Sequence, residues 1–194
     1  MTALCKGIII KTNMGEKISL FHGTIHEFDS IDVSKGKPFK DFGAGFYLSP
    51  LKKHSESLAL RNRQIELMRI NQQKKKARVR AFIYTYEFDF DHIQNLALKN
   101  FPQADAEWMK FVVSNRNSSK REHNFDIVMG PTANDNTRAS IQAFFAGAYG
   151  DVKTDRAVNM LINLLEPQKL PVQFFFGSQR AANLLVFKNR AAIE

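Results

Sequence analysis

Cysteine is almost absent from this 194-residue chain, and the single thiol, Cys5, excludes an internal disulfide framework and argues against a cysteine-based metal site. The five histidines, His22, His26, His54, His92 and His123, show neither His-x-x-x-His nor carboxylate spacing, so no metal is expected. Neither a P-loop nor a Gly-x-Ser-x-Gly elbow occurs, which removes the commonest nucleotide-hydrolysing and serine-hydrolase signatures. No apolar run approaches the ~20 residues that cross a bilayer, so no membrane role is expected. Gly7-Ile8-Ile9-Ile10 is too short for a signal-peptide core and is followed by Lys11. These absences favour a cytoplasmic, reducing setting, or translocation into a target cell by a route that reads no N-terminal signal.

What is plentiful is phenylalanine, 17 residues against a single Trp, within a hydrophobic content of 44%. That suffices for one sizeable core, and residues 1–194 are read as a single domain with 1–17 as an N-terminal extension. Positive charge is also in excess, with a formal net charge of +9. Much of it sits in Arg61, Arg63, Arg69 and the run from Lys74 to Arg80. Such a balance attracts phosphate-bearing partners, yet a solvated helix end produces the same run, and no RNA-binding motif with interleaved aromatics accompanies it.

Periodicity along the chain predicts a mixed fold. Residues 18–22 alternate as a short strand ending at Gly23, and a polar connection runs from Thr24 to Lys40. Phe46-Tyr47-Leu48 reads as a second strand, after which Ser49 caps and Pro50 opens a helix running toward Lys76. A strong strand is expected over 79–90, then a turn and short strand over 89–97, a helix over 105–114 and a strand over 125–129 closed by Gly130-Pro131. Helices over 138–149 and 152–165, a strand over 172–176 and a final helix or short strand complete the reading. Strands and helices do not alternate as βαβ units, so the class is α+β.

Two segments carry candidate chemistry. His22 ends a strand and is followed by Gly23, where a flat ligand can approach backbone groups able to pair with a carboxamide. Tyr47 follows Gly43 and Gly45 on a strand, where its ring could stack on an aromatic ligand or simply join the core. Gly43-x-Gly45 is not a dinucleotide fingerprint, because the third glycine is missing and a strand follows where a helix is required.

His22-Gly23-Thr24, the segment Asp41-Phe42-Gly43-Ala44-Gly45-Phe46-Tyr47-Leu48-Ser49, Trp108 to Arg116, Phe125 to Asp135 and the strand at Gln173 together resemble a bacterial family of unnamed function, DUF3990, within the ADP-ribosyltransferase superfamily. The likeness spans roughly residues 18–187. It implies a split β-sandwich of two packed sheets with surrounding helices and an NAD cleft between them. Relatives of diphtheria toxin and the poly(ADP-ribose) polymerases use a His-Tyr-Glu set on three strands. By that likeness His22 holds the adenosine-side ribose of NAD, Gly23 the nicotinamide carboxamide, and Tyr47 stacks on the nicotinamide. Thr24, Gly43, Gly45 and Phe46 line the same cofactor site.

The third position departs from the pattern. The late strand carries Gln173, an amide that can orient a ribose but cannot serve as a carboxylate base. Asp135, in an Asn-Asp-Asn loop, is the first alternative for a carboxylate, ahead of Asp126 and Glu166. Asn115 and Arg116 are candidates for the NAD pyrophosphate or the acceptor, with Lys37 and Lys40 as weaker ones. The resemblance implies a mono-ADP-ribosyltransferase that uses NAD as co-substrate and a protein acceptor, suited to a bacterial toxin or effector. An NAD-glycohydrolase, a transferase acting on nucleic acid, and a non-catalytic nucleotide- or protein-binding module remain as alternatives.

Overall fold

The strand β3 (Ala81–Asp89) organises half of the fold, because Phe82, Tyr84, Tyr86 and Phe88 make one face apolar throughout and Ala81 and Ile83 make the first half of the other face apolar too. A computed structural model describes the backbone of residues 17–133, 135–164 and 170–194 and the side chains of all of these but 135–138. In it β3 pairs antiparallel with β1 (Lys17–Thr24) on one side and β7 (Val186–Ile193) on the other. A second sheet has the order β2 (Phe46–Leu48), β6 (Val172–Phe176), β5 (Ile127–Pro131) and β4 (Leu98–Asn100). Only its β4–β5 pair is parallel.

Five helices are described: α1 (Lys52–Gln72), α2 (Ala106–Arg116), α3 (Asp135–Phe145), α4 (Asp155–Leu164) and α5 (Gln179–Ala182). The architecture is α+β, with two packed sheets. Leu20, Tyr84, Tyr86 and Phe88 of the first sheet meet Leu48, Ile127, Phe174 and Phe176 of the second in the main core. The far face of the second sheet, with Val128 and Phe175, is covered by Trp108, Met109 and Val112 of α2 and by Ala157 and Leu161 of α4. Helix α1 covers the outer face of the first sheet through Ala59, against Ala81 and Ile83. Both faces of β6 are therefore buried, which is why Phe174-Phe175-Phe176 reads as an unbroken apolar run.

The structure corrects several sequence boundaries. The first strand does not end at Gly23 but continues through Thr24, which pairs with Phe82. Glycine is required at position 23 because a Cβ would collide with the Ser55 carbonyl oxygen of α1. Ser49 does not cap α1: its backbone pairs with Phe21, and the helix starts at Lys52 without a side-chain cap. That helix stops at Gln72, short of the basic run, and Lys74 takes a left-handed φ of 54°. Gly130-Pro131 does not close β5 but forms its last two residues, opposite Gln173 and Val172. The Asn-Asp-Asn segment is not a loop throughout, since α3 opens at Asp135. The C-terminal element is both a short helix and an eight-residue strand, β7, whose charged, exposed residues hid its pairing with β3.

Residues 1–16 of the expected extension and the candidate Glu166 lie outside the described residues. No helix is long and apolar enough to cross a membrane among the described residues.

Phe175 is fully buried between the Tyr47 ring, at 5.1 Å, and the Phe42 ring, at 6.3 Å. Phe175→Ala is expected to cost about 3–5 kcal/mol in urea unfolding, the range for an aromatic truncation that leaves a cavity.

Candidate functional site

The two sheets are joined by one pair of backbone hydrogen bonds and part immediately beyond it. Phe21 N–H donates to the Ser49 carbonyl at 2.8 Å, and Ser49 N–H donates to the Phe21 carbonyl at 2.9 Å. The polar groups of Phe21 thus point away from β3. Opposed residues in an antiparallel ladder alternate between bonded and non-bonded pairs. Gly23, two residues on in the same register, therefore also turns its N–H and C=O away from β3 and toward the edge where β1 and β2 separate. A donor and an acceptor on one glycine, side by side and unused by the β1–β3 ladder, match the two polar groups of a primary carboxamide.

His22 borders this edge. Its Nδ1 lies 2.8 Å from the Tyr47 carbonyl oxygen, which only accepts, so Nδ1 carries the proton. Burial pushes the imidazole pKa down and favours the neutral ring, which leaves Nε2 as an acceptor. The ring stacks on Phe46 at 4.4 Å and meets the Phe28 edge at 5.8 Å. Phe28 is itself stacked on Tyr84 at 4.1 Å. Its N–H donates to the Tyr84 hydroxyl, which donates in turn to its carbonyl.

Tyr47 and Gln173 come close to this edge in sequence register but point elsewhere. In β2 the Phe46 and Leu48 side chains enter the main core, while Tyr47 enters the second core beside Phe175. Its hydroxyl donates to the Gly43 carbonyl at 2.7 Å and accepts from Phe42 N–H at 3.0 Å. Burial is the main reason its pKa is held well above the usual phenol value. His22 and Tyr47 are thus joined through a backbone carbonyl rather than through two facing side chains.

Gln173 is buried, and its Nε2 donates to Asp41 Oδ2 at 2.7 Å. A carboxylate only accepts, so the amide orientation is settled and Oε1 is the acceptor that remains. Asp41 is the residue that sequence reasoning missed. Its Oδ2 also accepts from Ala133 N–H at 2.8 Å, and its Oδ1 accepts from Arg116 Nε at 2.6 Å. Arg116 spends a further donor on the Ala133 carbonyl, so the guanidinium expected on a pyrophosphate is committed inward. Asp41 and Arg116 stand 75 positions apart, and no periodic pattern couples residues at such separation.

The remaining candidates divide similarly. Asn115 is buried, with Nδ2 on the Phe111 carbonyl and Oδ1 accepting from Glu122 N–H, and serves the end of α2 rather than a ligand. Gly43 has a φ of 82°, and a Cβ there would lie 2.9 Å from Asn115 Oδ1. A Cβ at Gly45 would strike the Phe175 ring. Thr24 is buried, and its hydroxyl accepts from His26 N–H at 3.1 Å. Asp135 begins α3, but its side chain lies outside those described. Asp126 accepts from Ser178, Arg180 and Ala97 N–H, and the Arg180 guanidinium holds its carboxyl far below the usual range. So placed, Asp126 is a lock between β5 and α5 and a poor proton acceptor. Among the described residues no cluster of His, Cys, Asp and Glu could hold a metal ion.

Two outcomes follow for stability. Asp41→Asn leaves the Arg116 guanidinium inside without its counter-charge, at an expected cost of about 3–5 kcal/mol in urea unfolding, and a paired Arg116→Met should recover part of it. Asp126 has a folded-state pKa below its unfolded one, so its contribution is complete above about pH 4 and lost as pH falls through the folded value. Acid unfolding of Asp126→Asn followed by circular dichroism should therefore show a shallower loss of stability below pH ~4 than wild type.

A family model described as a protein of unknown function, DUF3990, matches residues 18–187, from β1 into β7. No curated protein and no solved structure matches the chain. The family match takes in His22, Gly23, Asp41, Tyr47, Arg116 and Gln173 together, and the chain belongs to the DUF3990 family.

Proposed function

We propose that the chain binds NAD where β1 and β2 part and transfers ADP-ribose from it to a protein side chain, on an ADP-ribosyltransferase-like split sandwich. One observation carries the reading: the N–H and C=O of Gly23 turn away from β3, with no backbone partner among the described residues, beside a neutral His22. The Gly23 N–H donates to the oxygen of the nicotinamide carboxamide, and its carbonyl accepts from the amide nitrogen. His22 Nε2 accepts from a ribose hydroxyl. Phe46, stacked on His22, keeps that ring in position.

The bond from the ribose anomeric carbon to the pyridinium nitrogen breaks, and its electron pair neutralises the departing nicotinamide. Positive charge then spreads over the ribose ring, where an oriented acceptor lowers the barrier. Gln173 makes that contact through the ribose 2′-hydroxyl only if its amide turns away from Asp41, to which its Nε2 is bonded on the second-core face. The acceptor side chain attacks the opposite face, gives up its proton and inverts the anomeric carbon.

A second reading, a nucleotide-binding module without turnover, is favoured by a specific arrangement. Tyr47 and Gln173 are engaged in the second core, and Arg116 is tied to Asp41.

Incubation of the purified protein with NAD, with and without a cell lysate, separates the readings. Transfer predicts nicotinamide release together with label on a lysate protein, both lowered about 10- to 100-fold in His22→Ala, the loss expected for one hydrogen bond to substrate. Release without label would indicate hydrolysis, and NAD binding without release would establish the module. Because burial lowers the His22 pKa, NAD binding should stay level through neutral pH and weaken only below pH ~6.5, where protonation removes the Nε2 acceptor.

A further inference from the structure

Residues 61–80 contain eight Lys and Arg residues against a single acid, Glu66, and so hold +7 of the chain's net +9. Glu66 does not offset the others, because it is paired with Arg69 on α1 at 2.5 Å. After Gln72 the chain leaves the helix, and from Lys75 it runs to β3 without regular structure. Between this segment and α1 lies an open groove of about 490 Å³, lined by Arg63, Leu67, Lys76, Ala77, Arg78 and Val79. Arg63 Nε donates to the Val79 carbonyl at 3.0 Å, which ties the groove's two walls together and leaves the terminal amino groups of the guanidinium for a ligand.

We infer that this groove binds the phosphate backbone of a nucleic acid. Guanidinium groups match phosphate oxygens in a forked geometry, and the groove is lined by Arg63 from α1 and by Lys76 and Arg78 from the segment after it. Leu67, Ala77 and Val79 give the walls an aliphatic surface suited to sugar. No Phe, Tyr or Trp occurs between residues 51 and 80, so no base-stacking platform is offered and the contact is independent of sequence. A lipid surface fits less well. At about 3.6 residues per turn the exposed Leu58, Ile65 and Met68 fall on the face of α1 opposite Arg63 and Leu67, away from the groove.

The groove's exposed segment enters the first sheet at the end of β1 that carries Gly23 and Thr24. That segment leads directly into Ala81 and Phe82, and Phe82 pairs with Thr24, the residue after Gly23. Phosphates held there lie toward the same end of the first sheet as Gly23. The inference rests on the groove alone and stands whether or not NAD is cleaved.

The test is fluorescence anisotropy of the full chain with a labelled duplex DNA of about 25 base pairs, titrated over a range of salt. Binding should weaken linearly in log–log form as salt rises, with a slope that reports the phosphates contacted. Lys76→Glu/Arg78→Glu, both exposed side chains, should lower affinity at least tenfold and flatten the slope by about two. Lys35→Glu/Lys120→Glu makes the same change in net charge elsewhere and should have little effect. Equal weakening by the two pairs would reduce the effect to overall charge and overturn the groove. Polyglutamate competing as well as DNA at equal charge would overturn the nucleic acid in favour of an acidic protein. Absence of salt-sensitive binding would overturn both.

Discussion

The two hydrogen bonds between Phe21 and Ser49 are the contact on which the candidate site depends. They join two sheets that otherwise meet only through side chains, and they do so at one point rather than along a ladder. A continued β1–β2 ladder would have consumed the backbone groups of Gly23. Because pairing stops after a single bridge, the next non-bonded residue of β1 is left with a donor and an acceptor turned away from β3 and unused by either ladder. The helix behind it removes any room for a side chain, so position 23 must be glycine for packing reasons before any ligand is considered.

The second dependency is electrostatic and lies on the other face of the second sheet. Asp41 collects donors from Arg116, Ala133 and Gln173, which join the connection before β2, the end of α2, the loop after β5 and the start of β6. A buried carboxylate is tolerable only when its lone pairs are occupied, and here four donors reach it. The cost of that arrangement is functional freedom: Arg116 cannot reach outward, and Gln173 presents only its carbonyl oxygen. His123 supports the same region, donating from Nε2 to the Phe42 carbonyl and accepting on Nδ1 from Phe125 N–H.

Charge is distributed with similar economy. Within the fold, cations are matched to carboxylates, as at Asp41–Arg116 and Asp126–Arg180. The surplus is concentrated on α1 and the segment that follows it, where a groove gives it shape. A uniform scatter of the same net charge would raise solubility without creating a local field strong enough to concentrate a polyanion.

The sequence by itself determined much of the element inventory and the class. The strand over 172–176 and the helix over 105–114 were legible from pattern alone, and the absence of βαβ alternation led to α+β. The family was legible in motifs spread from His22 to Gln173. Tertiary structure decided the rest, since side-chain direction depends on contacts the chain makes with distant parts of itself. Adjacent residues of a strand face opposite ways, so Phe46 joined His22 while Tyr47 turned to Phe175, and motif spacing cannot register that difference. Asp41 met Arg116 only after two elements folded together, and β7 became a strand because β3 offered it a hydrogen-bonding edge, not because its own polar residues demanded one.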